Sequence, residues 1–184
     1  MARYLFGDFG LYRVFSFDLD RSAPPPVEPG AKGWRFAEVT GEEVERAKAP
    51  EISREAWYGG ADSRGFAIFV EGQIVALQWF WFGERYKNDY GFWPLREDEA
   101  ESRQLVTVPA MRGKGLATAL KALSAHAMRE RGFTRLISRV WHNNHASIAV
   151  NHKDGWREIA IVIEVRPLNR GRIRQWILRR RPVD

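Results

Sequence analysis

Two neighbouring stretches carry the side chains best suited to chemistry. Arg112-Gly113-Lys114-Gly115-Leu116-Ala117 follows a short β-type run and opens a helical pattern. A glycine turn at a helix start is an anion site made of backbone. The first N–H groups of the helix lack internal partners, and the helix dipole favours negative charge there. Gly113 and Gly115 remove side chains that would block a phosphate, while Arg112 and Lys114 add positive charge. Just upstream, Glu97, Asp98, Glu99 and Glu101 form an acidic cluster. It reads either as a solvated loop or as the source of a general base, and, if not the base, as a patch that attracts a cationic acceptor. His142, His145 and His152 cluster as well, but the chain has no Cys, and His142-Asn143-Asn144-His145 falls in a predicted loop. Surface or hydrogen-bonding roles are therefore favoured for them, and no metal is expected.

The elements that must position these residues follow from periodicity. Residues 3–19 alternate around aromatics and include one strand, and the Pro-rich run 22–30 is a stiff connector. Trp34–Val39 reads as a strand, and Thr40-Gly41-Glu42-Glu43 as a capping box opening a helix that ends at Pro50. A second short helix is expected from Ser53 to Tyr58. Gly65–Val70 and Ile74–Phe82 are strands joined by a Glu71-Gly72-Gln73 hairpin turn. An acidic loop follows, then a strand at Ser102–Val108 and a helix from about Leu116 to Arg131 with an apolar stripe at Leu116, Leu120, Leu123 and Ala127. Thr134–Trp141 is a strand, Ala146–Lys153 a short helix and Trp156–Val165 a strand.

The spacing of these pieces resembles the GNAT superfamily of N-acetyltransferases. Arg112 to Ala117 matches the family's Arg/Gln-x-x-Gly-x-Gly/Ala signature, and Leu105-Val106-Thr107-Val108-Pro109 is similar to its fourth strand. Asn144, Ser147 and Gly155-Trp156 stand where the family has Asn, a small residue and Gly-Phe. The resemblance covers roughly residues 34–165 and implies an α/β fold: one GNAT-like domain with a mixed, mostly antiparallel sheet, splayed central strands and helices on both faces. Residues 1–33 are then an N-terminal extension with the Pro-rich connector, and 166–184 a basic C-terminal tail. It further implies acetyl-CoA, or another acyl-CoA, as co-substrate. The pyrophosphate would lie on the backbone of Gly113, Gly115 and Ala117, beside Arg112, Lys114, Leu116 and Thr118. Leu105 and Thr107 would meet the pantetheine arm between strands 102–108 and 134–141, with Asn144 steadying its amides. Asn144 also reads as a helix N-cap, and the two roles are compatible.

Acyl transfer to an amine requires removal of a proton from the ammonium, stabilisation of an oxyanion and departure of a thiolate. In the family the amine attacks the thioester directly, which suits a chain without Cys. Glu101 precedes Arg112 by eleven positions, the general-base spacing of histone-type members, and shares strand parity with Leu105 and Thr107. The oxyanion donor is expected to be a backbone N–H near Leu105 to Thr107. The usual acid, a Tyr seven residues after the motif Asn, is replaced by Asn151, an amide that cannot supply a proton. His152, His145, Tyr86 or Tyr90 are substitutes, and a thiol of pKa ~8.5 can also leave unaided. These features imply an N-acyltransferase, most simply an N-acetyltransferase acting in a ternary complex. A non-catalytic CoA-binding module and a transferase for longer acyl-CoA or acyl-carrier-protein donors stay open beside it.

Charge and composition restrict partners. Of 29 basic and 23 acidic side chains, seven Arg and one Asp fall in 166–184, which leaves 22 of each in residues 1–165. A neutral body argues against a domain that tracks a phosphate backbone. The tail, Arg170 to Arg181, mixes Arg with Ile, Trp and Leu and fits either a basic amphipathic helix on an anionic surface or a frayed terminus. Expected partners are a small-molecule or peptide amine, an acidic surface, membrane or nucleic acid at the tail, and a second copy of the chain. Trp79-Phe80-Trp81-Phe82 and Phe92-Trp93 read first as core and second as an apolar acceptor wall. No apolar run reaches the ~20 residues of a membrane span, and the start of the chain lacks a signal-peptide core, so a cytoplasmic location is expected.

Overall fold

The computed structural model describes residues 8–21, 33–88, 93–166 and 174–180. The Pro-rich run and Tyr90 lie outside these residues. The chain divides into two compact units, one of Asp18–Leu136 and one of Met1–Phe17 with Ile137–Asp184.

In the unit Asp18–Leu136, strands β2 (Trp34–Val39), β3 (Ser63–Val70), β4 (Gln73–Trp81) and β5 (Glu99–Thr107) form an antiparallel meander in that order. The β3–β4 turn is closed by Glu71 and Gly72, both with positive φ (49° and 75°), as a tight hairpin requires. β4 is buried from Ile74 to Trp81, because both of its faces are covered. On one face Leu77 and Trp79 pack with Val39, Val44, Ile52 and Ala67. On the other, helix α4 (Leu116–Glu130) applies Leu120, Ser124 and Met128, all fully buried. Burying a side chain such as Leu120 or Met128 contributes roughly 1.5–3 kcal/mol.

Thr40 caps helix α1 (Gly41–Glu45) in a complete capping box: Thr40 N donates to Glu43 Oε2 (2.7 Å) and Glu43 N donates to Thr40 Oγ1 (3.2 Å). The helix is shorter than its pattern predicts. Pro50 does not end it but occupies the first turn of α2 (Pro50–Ser53), where a missing N–H costs nothing. The helix expected at 53–58 is reduced to a 3₁₀ turn, Ala56–Tyr58. Part of the expected acidic loop is helix α3 (Gly83–Asn88), whose Glu84 N–H donates to Asp62 Oδ2 at 2.9 Å. β5 also starts earlier than expected, at Glu99, because Glu99 and Glu101 are buried and salt-bridged to arginines. Glu99 meets both Arg96 and Arg135, and Asp98 accepts from Thr134 Oγ1 at 2.5 Å. The solvated-loop reading therefore fails for Glu99 and Glu101.

The second unit places β6 (Arg135–Trp141, within it from Ile137), β1 (Asp8–Asp18), β7 (Arg157–Arg166) and β8 (Arg174–Arg180) in the order β6-β1-β7-β8. β1 pairs antiparallel with β7 from Asp8↔Arg166 to Ser16↔Arg157, so part of the N-terminal extension is a sheet strand. Helix α5 (His145–Lys153) joins β6 to β7, and Phe17 meets Trp156 at 5.4 Å between ring centroids. The tail is neither an amphipathic helix nor frayed over Arg174–Arg180. It is β8, antiparallel to β7 with Ile163↔Trp176 and Val162↔Ile177. Three consecutive apolar residues, Trp176-Ile177-Leu178, give no helical stripe, whereas β7 supplies backbone partners.

Candidate functional site

The glycine turn is built from β5 onward. After Thr107 the chain makes a 3₁₀ turn, Pro109–Met111, then passes through Arg112 to Gly113 and Gly115 before α4 begins at Leu116. Gly113 and Gly115 have φ of 75° and 77°, the left-handed region that side chains rarely adopt. A Cβ at either position would meet nothing within 4 Å, so the space over both residues is open. Gly115 is the N-cap of α4 and provides no capping side chain; the first internal bond of the helix is Ala119 N to Gly115 O, 3.0 Å. The amides of Leu116, Ala117 and Thr118 therefore lack intrahelical acceptors, which is the backbone requirement of an anion site. Leu116 is buried and anchors the turn, Thr118 is exposed, and Ala117 is half-buried. Arg112 donates from Nε to Thr107 O (3.3 Å), and Lys114 Nζ lies 3.3 Å from Met111 Sδ, both exposed cations at the rim.

The acidic candidate lies at the other end of β5. Glu101 is 2% exposed, and both of its carboxylate oxygens stand 3.2 Å from Arg103 Nη1. The register explains this placement. Trp79 pairs with Gln104 and Phe80 with Ser102, so Arg103 is the extra residue of a β-bulge. The bulge also overturns the parity reading. Glu101 pairs with Trp81, whereas Leu105 pairs with Gln78 and Thr107 with Ala76. Cross-strand partners share a face, so Glu101 points with Trp79 and Trp81 to the side covered by α1 and α2, opposite Leu105 and Thr107.

A second layer that no local pattern signals surrounds Glu101. Arg103 lies over the Trp81 ring at 4.7 Å and Arg85 over the same ring at 4.5 Å. Trp81 Nε1 donates to Tyr58 O at 2.8 Å, and Trp57 stacks on Tyr58 with ring centroids 3.9 Å apart. Burial holds the Tyr58 hydroxyl above its ordinary pKa, opposed by the neighbouring charge of Arg103 and by a hydrogen bond with it. On the same face a cleft of about 570 Å³ opens between Thr40, Gly59, Gly60, Ser63, Gly65 and Trp79. Gly65 is required there, since a Cβ would come within 2.5 Å of the Trp79 ring. Trp79, Phe80, Trp81 and Trp93 are all buried, so they serve as core. Phe92 lies outside the described residues.

Gln78, paired with Leu105 across the ladder, connects β5 to α4. Its Nε2 donates to Ser102 Oγ at 2.9 Å, and its Oε1 accepts from Ser124 Oγ at 3.0 Å. A polar chain thus runs from the buried Ser124 of α4 through the buried Gln78 to the half-buried Ser102, the residue between Glu101 and the bulge.

The remaining candidates belong to the other unit. Asn144 is the N-cap of α5, its Oδ1 accepting from Ser147 N at 3.1 Å. Asn151 is buried, and its carbonyl accepts from Trp156 N at 2.9 Å. His152 is exposed on α5 with its ring edge-on to Phe15 at 5.3 Å, and His142 and His145 are exposed. Tyr86 is buried, donating to Trp93 O at 2.7 Å and accepting from Trp93 N at 2.8 Å, a structural clamp for the segment after α3. Among the described residues no group of three or more His, Cys, Asp or Glu is placed to hold a metal, and no helix is long and apolar enough to cross a membrane.

Comparison with known proteins bears on the fold and the family. No curated protein matches the chain. Among solved structures it is similar to a tandem GNAT protein from the clavulanic acid biosynthesis pathway (TM-score 0.59, 16% identity, 91% of this chain and 56% of that one). It is also similar to a GNAT-family putative acetyltransferase from Novosphingobium aromaticivorans (TM-score 0.57, 16% identity, 87% and 65%). A Drosophila protein aligns at TM-score 0.57 and 12% identity over 91% and 55%. The chain thus spans 55–65% of the length of these solved chains and shares their mixed α/β fold. The model of the acetyltransferase (GNAT) family matches residues 32–156, from β2 through the glycine turn to Gly155-Trp156, and the chain belongs to that family.

Proposed function

We propose that the protein is an N-acyltransferase that takes an acyl group, most simply acetyl, from acyl-CoA and passes it to an amine in a ternary complex. The observation that supports this reading is the open, left-handed glycine turn at the N-terminus of α4, directly continuing β5. These residues fit a pyrophosphate: free amides of Leu116, Ala117 and Thr118, no side chain over Gly113 and Gly115, and Arg112 and Lys114 at the rim. Coenzyme A would supply the thioester, and Leu105 and Thr107 on β5 the strand edge for its arm. Asn144 keeps the arm-binding role that the resemblance implies.

In the chemistry proposed, the acceptor comes to the thioester from the Glu101 face of the sheet, opposite Leu105 and Thr107, and Glu101 takes its ammonium proton once the ammonium has displaced Arg103 from the carboxylate. The nitrogen lone pair then forms the C–N bond as the C–S bond breaks, the electron pair leaves on sulfur, and the nitrogen gives up its second surplus proton to solvent. A backbone N–H near Leu105 to Thr107, next to the interruption of the ladder, stabilises the oxygen. His152 is the proposed proton source for sulfur, whose own pKa of ~8.5 makes the help modest. No metal is assigned a role, and the reaction is placed in the cytoplasm. The buried amide of Asn151, where a Tyr acid is expected, favours a second reading as a CoA-binding module without turnover.

Titration calorimetry with acetyl-CoA, followed by thiol release against an amine panel, separates the readings. Binding with turnover supports the transferase, and binding without turnover on any amine supports the module. Absence of acetyl-CoA binding removes both.

A further inference from the structure

The Glu101–Arg103 pair is a salt bridge between residues two apart on one strand, which period-two alternation sets on one face, and Arg103 is the extra residue of the bulge. Arg85 and Arg103 both lie over the Trp81 ring, and Arg54 is paired with Glu55 at 3.1 Å. Arg85 donates from Nη2 to Trp57 O at 2.6 Å, yet its Nε is buried with no hydrogen-bond partner. An orphaned guanidinium N–H beside an aromatic face wants an anionic oxygen, because a charged donor left dry is costly. The cluster also reaches solvent: Trp57, stacked on Tyr58 and edge-on to Trp81, is 56% exposed.

Resting on the transferase reading above, we propose that the acceptor is an amine that itself carries a carboxylate, such as a free amino acid. Its ammonium takes the place of Arg103 at the Glu101 carboxylate. Its carboxylate takes the place of Glu101 at Arg103 and supplies Arg85 with the missing acceptor. The buried pair is thus an internal stand-in for a zwitterion, each group holding the other's substrate position. Trp57 provides an apolar surface for the acceptor's side chain. The product is an N-acyl amino acid, the proton balance is that of the amide-forming step already described, and free thiol is the second product.

The test compares phenylalanine with phenethylamine, the same amine without its carboxylate, as acceptors for acetyl-CoA. The expected result is a kcat/KM about 100-fold higher for phenylalanine, the scale at which a site built for a charged partner rejects an analogue lacking it. In R103L that preference falls below about tenfold, through KM more than kcat. R103K keeps a charge beside the buried Glu101, controls for misfolding, and retains an intermediate preference. Equal use of the two acceptors by the wild-type protein, or preference for phenethylamine, overturns the proposal. If neither releases thiol, calorimetry in the presence of coenzyme A decides: binding of phenylalanine but not phenethylamine sustains the assignment, and binding of neither overturns it. Acetyl-CoA binding alone judges the transferase reading separately.

Discussion

The two ends of β5 hold sites of opposite construction. At the Thr107 end, the glycine turn is exposed and made of backbone amides that any sequence with glycine at 113 and 115 can present. At the Glu101 end, the site is buried and made of side chains from four separate segments, held by register, an ion pair and stacked rings. A backbone site tolerates change in side chains but not in φ. A side-chain site tolerates neither loss of charge nor slippage of one residue. Under the proposed transferase reading, the donor site is therefore expected to be generic and the acceptor site particular to this protein.

The strongest way to break this contrast is at Gly115. G115W should reduce acetyl-CoA affinity at least ~100-fold while costing only about 1–2 kcal/mol of stability, the strain of a left-handed side chain, because open space surrounds the residue. Calorimetry and thermal unfolding check both halves; unaltered affinity would sink the phosphate assignment. E101Q should lower kcat by ~10²–10³ with the affinity for acetyl-CoA unchanged. The deficit should shrink as pH rises toward the pKa of the amine, since the acceptor then loses its proton without a base. A pH-independent deficit would remove Glu101 from that role.

Q78L tests whether the two ends are coupled. It deprives Ser102 and Ser124 of their buried partner, and a loss of roughly 1–3 kcal/mol is expected. Acceptor KM should rise while acetyl-CoA affinity stays near wild type, because the turn's own amides are untouched. The smallest effect is expected for T134V. Its hydroxyl donates to Asp98 and holds that carboxyl below the ordinary carboxylate range, with Arg96 adding to the shift. A depressed pKa contributes stability above the unfolded value of ~3.9 and loses it as pH falls through the folded value. T134V should therefore be less stable than wild type at neutral pH and equal to it in strong acid, as denaturant titrations at the two pH values would show.

Local features proved readable from local residues. The Thr40–Glu43 box closes within one turn of helix, and the Gly113/Gly115 conformation depends on the absence of two Cβ atoms. The family signature works for the same reason: it describes a turn whose function is its backbone. The misreadings of helix α3, of the acidic run and of the tail involve a partner on another element. Helix α3 begins where Asp62 caps Glu84, 22 residues away in sequence. The acidic run 97–101 divides into exposed and buried members because Arg135 and Arg96 reach Glu99 and Arg103 reaches Glu101. The Arg-rich tail becomes a strand because β7 has an edge to offer it.

By itself the sequence determined the β-hairpin, the capped helix, the glycine turn and the family, since each follows from contacts within a few residues or from a φ only glycine adopts readily. Tertiary structure alone decided which face Glu101 shares. Strand parity is a rule of period two, and one bulged residue, visible only when β4 and β5 pair, reverses it.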